Sequence, residues 1–268
     1  MTAPAVPAAE FSRRHVAALG REVGRLGLAT NFGLPERAVS LALERGVDYF
    51  FWTTFRSGPS TRALRATFPQ RREKVVLAAG TTVGWFAGTL RGTVERTLRT
   101  LGTEYLDVFQ LNWLGVASSY SEAHMAELAK LRDEGKLRKV GISIHDRGRA
   151  GRLAEDSPLD LFMIRYNAAH PGAERDIFPH LERRKPAVVA YTATAWRRLL
   201  RKPSGWDGAP ATAGDCYRFC LSSPHVDVVL SGPKTEEELV ANLDAVARGP
   251  LTPEEDTRLR AFGQAVHG

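Results

Sequence analysis

Cysteine is nearly absent from this chain: Cys216 and Cys220 are the two thiols in 268 residues. Their scarcity excludes a disulfide framework and fits a reducing, cytoplasmic setting. Four positions apart, the pair falls on one face of a helix and reads as buried free thiols; a metal held there would lack further ligands, so no metal is expected. Long apolar runs are also missing. Nothing approaches the roughly 18 consecutive apolar residues that a membrane-crossing helix needs. The start, Met1 to Glu10, is rich in Ala and Pro with neither a basic beginning nor a long apolar stretch, so it lacks the signal-peptide pattern. It reads as a short disordered lead. Basic residues exceed acidic ones, 37 against 30, for a net charge of +7. The excess is scattered in pairs such as Arg13-Arg14, Arg71-Arg72 and Arg183-Arg184, a pattern of solvated helix faces rather than of a nucleic-acid footprint.

What is present is ordinary for a globular protein: 43% hydrophobic and 25% charged residues. Short apolar runs alternate with amphipathic segments from end to end. Leu26–Thr30, Val47–Trp52, Val75–Ala79, Leu106–Leu111, Lys139–Ile142, Leu159–Arg165, Ala187–Tyr191 and Val226–Leu230 read as strands. Between them Pro35–Arg45, Phe86–Leu101, Ser121–Glu134, Glu174–Arg184, Asp215–Ser222 and Glu236–Ala247 carry helical periodicity. Strands apolar on both faces, each followed by a helix, imply a single-domain (β/α)8 barrel of the α/β class over residues 25–268, after a partly disordered lead over 1–24. A last helix, Pro253–Ala265, packs outside, with Thr252 placed to cap it. The irregular segment Lys202–Gly214 lies after the seventh strand and is either a lid or a plain connector.

One loop has chemistry that can be read directly. In Leu230-Ser-Gly-Pro-Lys-Thr, Gly232 lets backbone approach a phosphate, while Lys234 and Thr235 offer a cation and a hydroxyl at a helix start. Helix N-termini favour anions because free N–H groups and the dipole point there. The alternative is a Gly-containing loop capped by Thr235 with a solvated lysine.

Four motifs in a fixed order resemble the aldo-keto reductase family over about Arg25 to Asn242. They are Glu95-Arg-Thr-Leu-Arg-Thr-Leu-Gly-Thr-Glu-Tyr-Leu-Asp-Val-Phe-Gln-Leu, Leu131-Arg-Asp-Glu-Gly-Lys-Leu-Arg-Lys-Val-Gly-Ile-Ser, Val188-Val-Ala-Tyr-Thr-Ala, and the Gly232 loop with Leu239 and Asn242 downstream. The resemblance implies NADP(H) as cofactor and a small-molecule substrate. It implies Ser143 on the carboxamide, Tyr191 stacked on the nicotinamide ring with Thr192 beside it, and Gly232, Lys234, Thr235 and Asn242 on the phosphate and adenine end. A lysine at the helix start suits a 2′-phosphate.

The family's Asp, Tyr, Lys and His stand here as Phe51, Arg56, Gly80 and Asn112. An Asn that normally follows the Ser is Ile144, and a Gln on the sixth strand is Met163. Carbonyl reduction needs a hydride and a proton, and the usual proton donor is missing. Near strand ends stand Arg56, Asn112, Trp113, His145, Asp146 and Arg165. Arg56 can clamp an anion or lie in a surface loop. Asn112 can hydrogen-bond an oxyanion or sit satisfied in the core. His145 can donate a proton with Asp146 orienting it, or Asp146 caps a helix. Three functions follow: an NADP(H)-dependent oxidoreductase with an atypical site, a non-redox lyase or isomerase, or a catalytically silent NADP(H)-binding protein.

Overall fold

The computed structural model of the chain describes residues 11–82 and 84–267. The expected lead at Met1–Glu10 therefore lies outside the described residues. Residues 13–24, also grouped with that lead from sequence, form an antiparallel hairpin of β1 (Arg13–Val16) and β2 (Arg21–Gly24), turned at Gly20 with φ 67°. Only glycine adopts that conformation without steric cost.

Eight parallel strands then close a barrel: β3 (Leu26–Ala29), β4 (Tyr49–Trp52), β5 (Val76–Thr81), β6 (Leu106–Leu111), β7 (Leu137–Ile144), β8 (Leu161–Arg165), β9 (Ala187–Tyr191) and β10 (Val228–Ser231), with β10 bonded to β3. Around it run α1 (Glu36–Glu44), α2 (Gly58–Arg71), α3 (Leu90–Leu101), α4 (Glu122–Asp133), α5 (Arg147–Asp156), α6 (Ala173–Asp176), α7 (Ala213–Ser222), α8 (Glu236–Ala247) and α9 (Pro253–His267). The expected strands are all present. Helix α2 was not marked from sequence and α5 only by its Asp146 cap, because few of their side chains are apolar and the periodic signal is weak. The expected helix Glu174–Arg184 is instead the single turn α6 and a 3-10 turn at Phe178–His180. Pro179 has no N–H to continue the ladder.

Side chains alternate along each strand, so two separate apolar clusters form. Val140, Ile142 and Ile144 join the outer layer under the helices, as do Phe109 and Leu111. Tyr49, Phe51, Val76, Ala78, Val108, Leu161, Met163, Val189, Val228 and Leu230 fill the lumen, and Val16 and Val23 of the hairpin close its N-terminal end. Four aspartates fix the register there. Asp48, Asp107, Asp160 and Asp227 each accept a backbone N–H, from Gly24, Leu77, Val140 and Val188, at 2.8 to 2.9 Å. Charge-assisted bonds of this kind are stronger than neutral ones.

Thr252 and Glu255 cap α9 reciprocally, as the sequence implied. Trp206 of the irregular segment lies edge-on against Phe262 of α9 at 5.1 Å, which ties that segment to the last helix. The same helix packs on the loop leaving β8: a Cβ at Gly263 would lie 2.1 Å from the Ala168 carbonyl oxygen. Glycine to alanine inside a helix normally stabilises by about 1 kcal/mol. Here the sign reverses, because the obstacle is backbone. Gly263→Ala should lower stability by roughly 1–3 kcal/mol in urea unfolding; an unchanged or raised midpoint would contradict the packing.

Candidate functional site

Backbone strain marks one end of the barrel. Of seven non-glycine residues with positive φ among those described, six lie in loops leaving the C-terminal strand ends: Arg56, Trp113, Thr192, Ala195, Trp196 and Arg197. Such conformations cost of order 1–3 kcal/mol each and cluster at functional sites. The exposed large hydrophobics, Phe32, Phe55, Trp85, Phe86, Trp113, Val116 and Trp196, sit in the same loops. A soluble surface seldom gathers its exposed aromatics in one place without a ligand or partner to meet them.

The pleat sends one side chain per strand into this mouth. On the β4–β6 side these are Phe51, Gly80 and Asn112. Phe51 is buried, and Arg56 is exposed in the left-handed region with its guanidinium reaching toward Gly33. Asn112 lies directly over Gly80: a Cβ there would meet its amide at 2.4 to 2.7 Å. Positions 80 and 112 are thus sterically coupled, because Asn112 occupies the space of any side chain at position 80. Its Oδ1 is buried with no partner among the described residues, and so are both amide atoms of Gln110 one layer below. Each such group costs about 1–3 kcal/mol, so these polar atoms are held in the lumen against their own preference.

On the β7–β9 side the mouth is titratable. The Tyr191 hydroxyl lies 3.0 and 3.2 Å from the two ring nitrogens of His145. Burial pushes the Tyr191 phenol up to about 12, opposed by Arg165. Desolvation and then Arg165 lower the His145 imidazole, so it is neutral in neutral solution. Asp146 takes the capping alternative, accepting the Arg149 N–H at 2.9 Å at the start of α5. The turn after β8 is built by Asn167, which donates to the Thr192 carbonyl at 2.8 Å and accepts from Ala169 at 3.0 Å.

The residues expected to hold a cofactor are divided. Ser143 is buried and its Oγ accepts the Trp113 N–H at 3.2 Å. Met163 is apolar and faces the lumen, while Ile144 faces outward. Thr192 turns its hydroxyl back on the Tyr191 carbonyl. At the other end Thr235 caps α8 and Glu238 accepts the Lys234 N–H at 2.8 Å. The Lys234 ammonium is exposed and unpaired among the described residues, beside the N-terminus of α8. Two placements differ from the simplest phosphate-loop picture. The space beside Gly232 is filled by the Phe32 ring, which a Cβ would meet at 2.4 to 2.8 Å. Asn242 is buried and donates to Ser231, itself bonded to Tyr217, so its amide serves the fold.

The most prominent cleft, about 640 Å³, is elsewhere, on the barrel flank between Tyr166, Phe178, Phe219 and Arg260. The strained backbone and the converging polar groups argue for the mouth as the site of chemistry. No cluster of three or more metal-binding side chains occurs among the described residues, both cysteines are buried and free, and no helix is long and apolar enough to cross a membrane. The Tyr191–His145 bond and the Phe32 cover on Gly232 were not visible in sequence; the partners are 46 and 200 positions apart.

A family model described as the aldo/keto reductase family matches residues 36–203. Methylglyoxal reductase YeaE of Escherichia coli is 28% identical over 152 residues, 55% of this chain and 52% of the relative. Aldo-keto reductase YhdN of Bacillus subtilis is 28% identical over 131 residues, 45% of this chain and 39% of the relative. The chain thus spans about half the length of these curated relatives or less. Among solved structures, aldo-keto reductase AKR11C1 from Bacillus halodurans in its holo form superposes with TM-score 0.77 at 21% identity, covering 94% of this chain and 96% of that one. That likeness is one of fold.

The Gly80–Asn112 contact makes a testable pair. Gly80→Ala should cost roughly 1–3 kcal/mol, and adding Asn112→Ala should recover part of it, a coupling of about 0.5–3 kcal/mol in a double-mutant cycle. Additive losses would show that the two positions do not share space.

Proposed function

This chain belongs to the aldo/keto reductase family, and from that premise we propose that it is an NADP(H)-dependent oxidoreductase whose barrel mouth handles protons without the usual acid–base set. The observation that carries this reading is the unpaired Lys234 beside the N-terminus of α8, on the same end of the barrel as the Tyr191–His145 pair. When bound, the nucleotide supplies or accepts a hydride. Lys234 with the helix N-terminus holds its 2′-phosphate, and Tyr191 with Ser143 faces its ring end.

The remaining steps belong to the chain. Asn112 and Arg56 hydrogen-bond or polarise the substrate atom on which negative charge develops. Neither releases a proton at ordinary pH. His145 is the mouth residue that can, and Tyr191 holds its ring in place. With its pKa below the usual 6.5, it is a base in neutral solution and an acid only in mildly acid solution. Reduction of a group that needs little acid assistance, such as an imine or an activated alkene, suits that poise. A second reading, a non-redox lyase or isomerase, draws on Ile144 and Met163, which leave the carboxamide without its amide partners. Stoichiometric redox change of NADPH during turnover separates the two.

Lys234→Ala should weaken NADPH roughly 10-fold while NADH changes little, measured by nucleotide fluorescence. Equal weakening, or no saturable binding in the parent chain, would remove the reading. The reductive rate should climb as pH drops below 6.5 through the lowered imidazole range, and His145→Gln should flatten that profile. A climb that survives the substitution would put the acid elsewhere.

A further inference from the structure

Arg165 is the inward-facing residue at the C-terminal end of β8, one pleat above Met163 and in register with Tyr191 on β9. Its guanidinium is half-buried and makes no hydrogen bond or ion pair among the described residues. By contrast, Arg72, Arg138, Arg147, Arg218 and Arg260 all hold carboxylates. A partly desolvated cation without a counter-charge is costly unless a ligand supplies one.

The surroundings add to the deficit. His170, in the loop that leaves β8 after Arg165, is bonded to Asn167 at 3.1 Å, packed edge-on against His267 at 4.9 Å, and feels the same cation. Its imidazole is lowered to about 4, first by burial and then by Arg165, His267, Arg198 and Arg147, with no acidic group among the causes. Arg147 is already engaged by Asp176, and Arg198 by the Val266 carbonyl. His145 and Tyr191 also feel the Arg165 charge, and Tyr191 pairs with Arg165 across β8 and β9. Loops at the same end of the barrel carry the exposed rings of Trp113, Trp196, Phe55 and Phe86.

We infer that Arg165 anchors an anion subsite in the mouth, which takes a carboxylate of the substrate while the substrate's apolar or aromatic body lies on the aromatic rim. The inference rests on the mouth being the substrate site, and it names the substrate class: an apolar carboxylic acid with its reducible group set back from the carboxylate. A guanidinium fork matches a carboxylate bidentately. Arg165 would hold the ligand and take no part in hydride or proton transfer.

The test uses benzoate and its neutral counterpart benzamide on the full chain without nucleotide, followed by tryptophan fluorescence. Benzoate should bind roughly 10- to 100-fold more tightly than benzamide, and Arg165→Met should erase the difference. Arg165→Lys should retain part of it, because the charge stays and the fork is lost. Saturating benzoate should also raise the His145 and His170 titrations seen by NMR, since the anion offsets the cations facing them. Equal binding of the two probes, or an Arg165→Met variant that still prefers benzoate, overturns the subsite. An Arg165→Met variant that loses NADPH but keeps its preference for benzoate also overturns it, by assigning the arginine to a nucleotide phosphate. A chain that binds benzoate as described but no nucleotide would instead sink the oxidoreductase reading and leave the subsite standing.

Discussion

A closed barrel gives each strand one inward side chain per pleat, and the chemistry of this molecule follows from that constraint. Eight strands deliver eight short series to a shared lumen, and the last member of each series faces the mouth. No strand can change what it contributes without meeting its neighbours. The aspartates at the opposite end fix the register on which the arrangement depends, since a slip of one residue would exchange lumen and helix-facing side chains along a whole strand.

The two halves of the mouth differ in character. On the β4–β6 side the space is filled locally: Phe51 is buried, and Asn112 lies over a glycine. On the β7–β9 side polarity has accumulated instead. A phenol bonded to an imidazole, a second imidazole and an unpaired arginine share one quadrant, where burial and then Arg165 hold both imidazoles toward the neutral form. Strained loops and exposed rings surround both halves. The stability forgone in these features marks the mouth, whereas the cleft on the flank has neither.

Much of this was legible in the sequence. Strand runs with apolar residues on both faces, spaced by helical segments, fixed the barrel, and four ordered motifs fixed the family. Arg165 and His145 could be marked as strand-end groups. Their meaning could not, because it depends on which charges fail to appear nearby, and absence of a partner is a three-dimensional fact. Asn242 shows the reverse case. Its position in the motif implied adenine, yet its amide is buried in a bond to Ser231. Helix α2 escaped notice and α5 is marked in sequence only by its Asp146 cap, because few of their residues are large and apolar and their core-facing stripes are narrow. The helix expected at 174–184 overlooked Pro179, whose ring ends the ladder after one turn.

The central claim is that nucleotide and substrate meet at the C-terminal mouth rather than in the flank cleft. Hydrogen–deuterium exchange with and without NADPH tests it most directly. The account predicts slowed exchange in the loops at 192–197 and 231–238, with the segments 174–182 and 251–260 unchanged. Protection confined to those flank segments, or no protection anywhere, would contradict it.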